Sequence, residues 1–325
     1  MSILLSGSLA FDHIMVFPGH FEDHILPDKI HILNVSFLVD SLDRLRGGVA
    51  GNLAYNLALL RQPCKIVATV GRDFAEYSEL LASMGVDVSG IEVIQDELTA
   101  SAFITTDRAD NQITGFYPGA MSRAADLSLT PHLATTELAV ISPTDPKAMR
   151  RHARELTEGG TRYVYDPGQQ IISLSAAALN EGIEGADTLV GNDYEFAMMA
   201  EKSSLTREEL ERACPTVIVT FGELGSRIFH DGQRIDVPAV RPRAVLDPTG
   251  AGDGYRAGYL AGLRAGLPLD AAGRVASLAA TYVVEVKGTQ SHHYTLDEFA
   301  ARFVESFPDD ARHIDTFMAS AQPGP

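Results

Sequence analysis

Along most of the 325 residues, short apolar runs alternate with longer stretches of helical spacing. Residues 3–6, 65–70, 139–142, 162–165, 188–190 and 216–220 are runs of this kind, closing on Gly, Ser, Asp, Asn or Thr. Runs without polar alternation suit strands covered on both faces, as in a parallel sheet. Between them, residues 49–60, 75–84, 146–156, 193–200 and 207–213 carry the spacing of amphipathic helices. The alternation predicts an α/β fold, a doubly wound and mostly parallel sheet with helices on both faces.

Two stretches break the pattern. Residues 12–39 hold strand-like runs at 13–17 and 31–38 with no helix between them. Residues 101–106 and 112–117 flank the polar turn Asp107-Arg108-Ala109-Asp110-Asn111 and read as a hairpin. Both are expected to leave the main sheet and pair as a small β-sheet lid, formed by segments 12–39 and 99–118. Neither a repeat nor a linker divides the chain, so residues 1–325 read as one domain. Two long helical stretches, 252–265 and 269–286, precede a last helix at 295–306. The tail beyond Pro308 is expected to be loosely packed.

Charge narrows the classes. Acidic residues outnumber basic ones 43 to 26, a net charge of −17. Such a field repels nucleic acid and anionic membrane, so neither is expected as a partner. It repels ATP as well, so any nucleotide site must be made locally positive by backbone N–H groups, basic side chains or metal. Cys64 and Cys214 stand far apart, outside any zinc or redox spacing. The first 17 residues lack a basic start and contain Asp12 and His13, and no run reaches the ~18 apolar residues of a membrane span. A cytoplasmic protein is expected.

The chemistry concentrates in Val245-Leu246-Asp247-Pro248-Thr249-Gly250-Ala251-Gly252-Asp253-Gly254-Tyr255-Arg256-Ala257-Gly258. A short apolar strand runs into a Gly-Ala-Gly turn and then a helix. The N–H groups of Gly250, Ala251, Gly252 and Asp253 are expected to lack helical partners and to face an anion. Asp253 beside them suits phosphoryl transfer to an alcohol: the donors stabilise the moving group and the carboxylate takes the hydroxyl proton. The plainer alternative is a tight turn with Asp253 as a helix cap.

Gly47-Gly48 precede a helix that carries Asn52 in its first turn. Asn192 and Glu195 follow another strand, at the end of the sheet where ligands collect. A P-loop is excluded, because the chain has no Gly-Lys dipeptide. There is no HExxH, and Gly7-Ser8-Leu9-Ala10 does not supply a dinucleotide fingerprint.

Residues 247–253 resemble the second motif of the ribokinase (pfkB-type carbohydrate kinase) family. Gly47-Gly48-Val49-Ala50-Gly51-Asn52 resembles its first glycine-rich motif, and Asn192-Asp193-Tyr194-Glu195 its N-x-x-E element. Val219-Thr220-Phe221-Gly222-Glu223-Leu224-Gly225 is similar to its V-T-x-G-x-x-G turn. The likeness runs from residue 7 to residue 299, with Pro248 and Gly254 as departures.

The resemblance implies a ribokinase-like fold using ATP and Mg2+. Asp12 and Asn52 would hold substrate hydroxyls, with Gly47 and Gly48 against the sugar. Glu195 would organise magnesium through water, with Asn192 near the phosphates. Thr220, Gly222 and Gly225 would follow the ATP phosphates and ribose, and Gly288 and Gln290 would border the adenine. Asp247 would help hold a monovalent cation such as K+.

Residues 101–106 and 111–120 look like the lid of adenosine-kinase-like members, implying a purine nucleoside, adenosine first, phosphorylated on its 5′-hydroxyl. Phe103, Phe116 and Phe37 are the candidates to stack on its base. Their plainer roles are lid packing or a homodimer contact through the lid. Other readings are a sugar or sugar-phosphate kinase, and a non-catalytic sensor of sugars or nucleotides. His292 and His293 are expected to be solvated.

Overall fold

A computed structural model describes residues 2–25, 32 and 34–321. Nine strands form the main sheet. In spatial order they are Gln233–Val237, Ser226–His230, Thr216–Thr220, Thr188–Asn192, Tyr163–Tyr165, Thr136–Ile141, Ser2–Ser6, Cys64–Gly71 and Asp87–Ile94. Neighbours are parallel except at one edge, where Ser226–His230 pairs antiparallel with both Thr216–Thr220 and Gln233–Val237. Chain order reverses at Ser2–Ser6, which lies between Thr136–Ile141 and Cys64–Gly71. A crevice opens there, beyond the carboxyl ends of the strands.

The apolar runs are buried on both faces, as their lack of alternation predicts. Ile3 and Leu5 join a core with the helices Val49–Leu59, Ala75–Ser83, Ala251–Arg264, Leu269–Val284 and Leu296–Ser306. Leu4 points the other way, into a second core with Pro146–Glu158, Ala176–Glu184 and Asp193–Ser203. Helix Ala251–Arg264 is set close to Leu269–Val284 by Gly258 and Gly262. A methyl group on either would stand 2.6–2.7 Å from Ala276 Cα or Ala272 Cα. That contact fixes the height of the helix start and of the chemistry upon it.

The second sheet has four strands, in the order Ser41–Gly47, Ala10–Val16, Ala100–Thr106, Gln112–Tyr117. The expected hairpin is present, and Ala10–Val16 pairs parallel with Ala100–Thr106, joining the two excursions as anticipated.

Four expectations need correction. The apolar run at 245–246, expected as a strand leading into the Gly-Ala-Gly turn, is exposed and not strand. The run at 31–38 lies partly outside the described residues, and its described part, 32 and 34–38, is not strand; the strand is Ser41–Gly47. The tail is not loose: Ala311–Ser320 is a helix whose Ile314 and Phe317, three apart, are buried in the first core. His292 is also buried, its Nε2 2.9 Å from Asn56 Oδ1. Among the described residues no helix is long and apolar enough to cross a membrane.

Candidate active site

A cavity of about 550 Å³ occupies the crevice under the four-stranded sheet. Ser8, Pro143, Asp166 and Glu195 reach it from beyond the carboxyl ends of four main-sheet strands. Gly250, Gly252, Asp253 and Arg256 enter from the start of helix Ala251–Arg264. Gly48, Val49 and Asn52 come from helix Val49–Leu59 and its cap, and Asp12, Ala102 and Phe116 from the lid.

Backbone geometry makes the floor. Gly250 caps the helix in the left-handed region, with φ 80 and ψ −1, which glycine enters without steric cost. Asp247 braces the turn: Oδ1 accepts from Thr249 N at 2.9 Å and Oδ2 from Gly288 N at 3.0 Å. Ala251 N–H is committed to Pro248 O at 3.2 Å, against expectation. The N–H groups of Gly250, Gly252 and Asp253 have no acceptor among the described residues. Three donors therefore remain for an anion, where four were expected.

Asp253 is not a helix cap. Its carboxyl is buried, and Oδ2 accepts from Asn52 Nδ2 at 2.7 Å. Burial raises its proton affinity above that of an ordinary aspartate, while Arg256 and the Asn52 amide oppose the rise. Asn52 Oδ1 accepts in turn from Gln290 Nε2 at 2.9 Å, and Gln290 also bonds the Tyr77 hydroxyl. Gln290 was expected at the adenine. Its amide instead turns inward as the outer member of a chain that orients Asp253.

Asp12 lies against Gly47, where a methyl group would stand 2.6 Å from its Oδ2. Burial raises its pKa, and the nearby Asp247 adds to the rise. Gly48 has φ 85, and a methyl group there would meet Ser8 O at 2.6 Å and Ala10 N at 2.7 Å. Ser8 Oγ accepts from Val49 N, locking the first strand to the helix that carries Asn52.

Strand register separates the two lid phenylalanines. Asp12 pairs with Ala102 and Ala102 with Phe116, so these three share the face over the cavity. His13 pairs with Phe103, which lies on the opposite face and stacks on the His13 ring at 4.7 Å. Phe103 is therefore withdrawn as a base contact. Phe37 packs with Phe17 and Phe21 and does not line the cavity.

Of the remaining expected residues Glu195 lines the cavity, and Asn192, Thr220, Gly222, Gly225 and Gly288 do not. Asn192 and Thr220 are register partners on adjacent strands. Asn192 Oδ1 accepts from Glu195 N at 2.8 Å and Glu195 Oε2 from Asn192 N at 2.7 Å. This reciprocal cap leaves Glu195 Oε1 without a hydrogen-bond partner among the described residues. Gly222 and Gly225, at φ 58 and 88, form the turn after Thr216–Thr220. Gly288, at φ 87, closes on Asp247.

Asp166 and Arg256 were missed. Arg256 Nε stands 2.7 Å from Asp166 Oδ2, and Nη2 donates to Oδ1 at 2.9 Å. Burial pushes Asp166 up to about 7, with the guanidinium pulling the other way. A usable signal existed, since Asp166 directly follows the buried run 162–165 at the ligand end, as Asn192 does its own strand.

Comparisons with known proteins agree with this geometry. The model of the pfkB family carbohydrate kinases matches residues 9–295. A nucleoside kinase of Methanothermobacter thermautotrophicus is 34% identical over 305 residues, covering 93% of this chain and 95% of the relative. The solved structure of Burkholderia thailandensis nucleoside kinase in complex with inosine superposes with a TM-score of 0.85. It is 36% identical, over 94% of this chain and 98% of that one. The same enzyme in complex with ADP-inosine gives 0.83 and 37%, over 94% and 96%.

Proposed function

The chain belongs to the pfkB family of carbohydrate kinases, and on that premise we propose that it transfers the γ-phosphoryl group of ATP to the 5′-hydroxyl of a purine nucleoside. The observation that carries the reading is the buried Asp253 carboxylate, held by Asn52, beside free N–H groups in a cavity roofed by Phe116. The inosine bound by the Burkholderia relative supports a purine acceptor.

In this mechanism the 5′-oxygen attacks the γ-phosphorus and its proton passes to Asp253. The new O–P bond forms as the bond to the β,γ-bridging oxygen breaks, and that electron pair leaves on ADP. The N–H groups of Gly250, Gly252 and Asp253 stabilise charge on the moving group without reorganising. Asp12 accepts from the ribose diol, Gly47 and Gly48 admit the sugar ring, and Phe116 covers the base. ATP lies over the Asn192–Thr220 pair and the Gly222–Gly225 turn, with Gly288 at its base.

Among the described residues no group of three ligating side chains is built to cage a metal. That donor set fits magnesium, which keeps several waters and takes few protein ligands. Glu195 would hold its water shell, and the ion would supply charge neutralisation to the phosphates. Asp247 would hold a monovalent cation through lone pairs not used by its two N–H bonds. With two free cysteines and ATP as donor, the chain suits the reducing cytoplasm.

The lid's outer face exposes Leu42, Phe103 and Ile113. A second copy of the chain would cover them, which light scattering tests. The acceptor is tested by following ADP release with nucleosides and free sugars. ADP release with sugars alone would overturn the nucleoside assignment.

A further inference from the structure

Among the described residues Arg256 is the one basic side chain lining the cavity, facing four acids: Asp12, Asp166, Glu195 and Asp253. It lies one helical turn beyond Asp253. Asp166, fully buried at the end of strand Tyr163–Tyr165, holds it as an ion pair: Nη2 donates to Oδ1 at 2.9 Å, and Nε stands 2.7 Å from Oδ2 without the alignment of a hydrogen bond. The third nitrogen, Nη1, is left to the cavity, 3.5 Å from Asp253 Oδ1. A methyl group on Gly252 would stand 2.6 Å from it. The guanidinium therefore lies over Gly252, whose N–H is one of the free donors at the anion position.

Stability does not account for this arrangement. A buried ion pair generally holds a fold no better than apolar side chains of its size. The reaction does account for it. In phosphoryl transfer, charge spreads over the three equatorial oxygens of the moving group, and here those oxygens arrive among carboxylates. Backbone N–H groups offer partial charges only, whereas a guanidinium offers a full one in a planar fork already fixed in place.

We propose that Arg256 is a second catalytic residue, whose Nη1 contacts the phosphoryl group as it passes from ATP to the acceptor, and that Asp166 is the positioning residue holding it there. The assignment rests on the phosphoryl-transfer reading above. The step is the one already written: the acceptor O–P bond forms, the bridging O–P bond breaks, the electron pair leaves on ADP and the proton goes to Asp253. Arg256 exchanges no proton.

The test compares the full-length parent with Arg256→Gln, and with Asp166→Asn/Arg256→Gln, which also removes the Asp166 charge that loss of Arg256 would leave unpaired. Both variants are expected to lose about 10²–10³ in kcat while the nucleoside KM stays within about threefold. Asp166→Asn alone is expected to lower kcat less than Arg256→Gln, again with KM unchanged. A second readout needs no turnover. Aluminium fluoride, a mimic of the phosphoryl group in transfer, should tighten ADP binding by the nucleoside-loaded parent and not by Arg256→Gln.

The proposal is overturned if either Arg256 variant keeps parental kcat, or if nucleoside affinity falls while kcat holds. It also fails if neither variant folds, since the pair is then structural. A parent that phosphorylates no alcohol refutes the transfer reading itself. An active parent with an equally active Arg256→Gln refutes only this assignment.

Discussion

Replacing Asn52 by leucine keeps the shape of the side chain and removes its polar atoms, which isolates one hydrogen bond to the proposed base. Asn52 Nδ2 donates to Asp253 Oδ2 at 2.7 Å, and both residues are buried. A hydrogen bond to a charged group contributes about 1.5–3 kcal/mol, which raises the base's proton affinity by about ten- to a hundredfold once it is lost. The sign follows from the role. Asp253 must be ionised to accept a proton, burial already opposes ionisation, and Asn52 favours it. Asn52→Leu should therefore move the acid limb of the kcat–pH profile to higher pH by about one to two units. The plateau at high pH should fall much less. Linked to folding, a carboxyl of raised pKa costs stability as pH climbs past its unfolded value, so the variant should also lose more stability than the parent between acid and neutral pH. The assay is kcat against pH at saturating ATP and nucleoside. If the acid limb stays in place and only the nucleoside KM rises, Asn52 serves the substrate and not the base.

Other outcomes follow from the same geometry. Phe116→Ala should weaken nucleoside binding by about 1–3 kcal/mol, whereas Phe103→Ala, on the far side of the lid, should change KM by no more than about twofold; equal effects would contradict the strand register. Gly48→Ala forces a side chain to φ 85 and into Ser8 O, and should destabilise the chain by about 1–3 kcal/mol or more in urea denaturation; an unchanged midpoint would be the contrary result. Glu195→Gln should raise the magnesium concentration for half-maximal rate with little change in ATP-free nucleoside affinity, and an unaltered magnesium dependence would return Glu195 to its capping role.

The sequence exposes best those features whose causes are local. Central strands such as Ser2–Ser6 read clearly because both faces are buried and no polar residue interrupts them. Strands Ser41–Gly47 and Asp87–Ile94 escaped notice because they are largely exposed, so their polar residues resemble loop. The final helix was missed because two residues, Ile314 and Phe317, supply its buried face.

The same division runs through the site. Gly250, Gly252 and Asp253 lie in one short segment whose turn and helix are visible in the sequence, although the apolar run at 245–246 that precedes them is exposed and not strand. Phe103 could not be separated from Phe116, because which face each takes depends on register with Ala10–Val16. Gln290 and Asn52 meet across 238 positions, and Arg256 and Asp166 across 90. No spacing rule anticipates either pairing.

The central claim is that Asp253 is the base for ATP-dependent phosphorylation of a purine nucleoside. It is tested most directly by offering adenosine, inosine, ribose and fructose 6-phosphate at equal concentration, with ATP and magnesium, to the parent and to Asp253→Asn. Product formation is followed by phosphorus NMR. The parent should convert the nucleosides to 5′-monophosphates in preference to either sugar, and Asp253→Asn should be slower by about 10²–10⁴ or more with its fold intact. A sugar turned over far more efficiently than every nucleoside, or a well-folded Asp253→Asn with parental rates, would contradict the account.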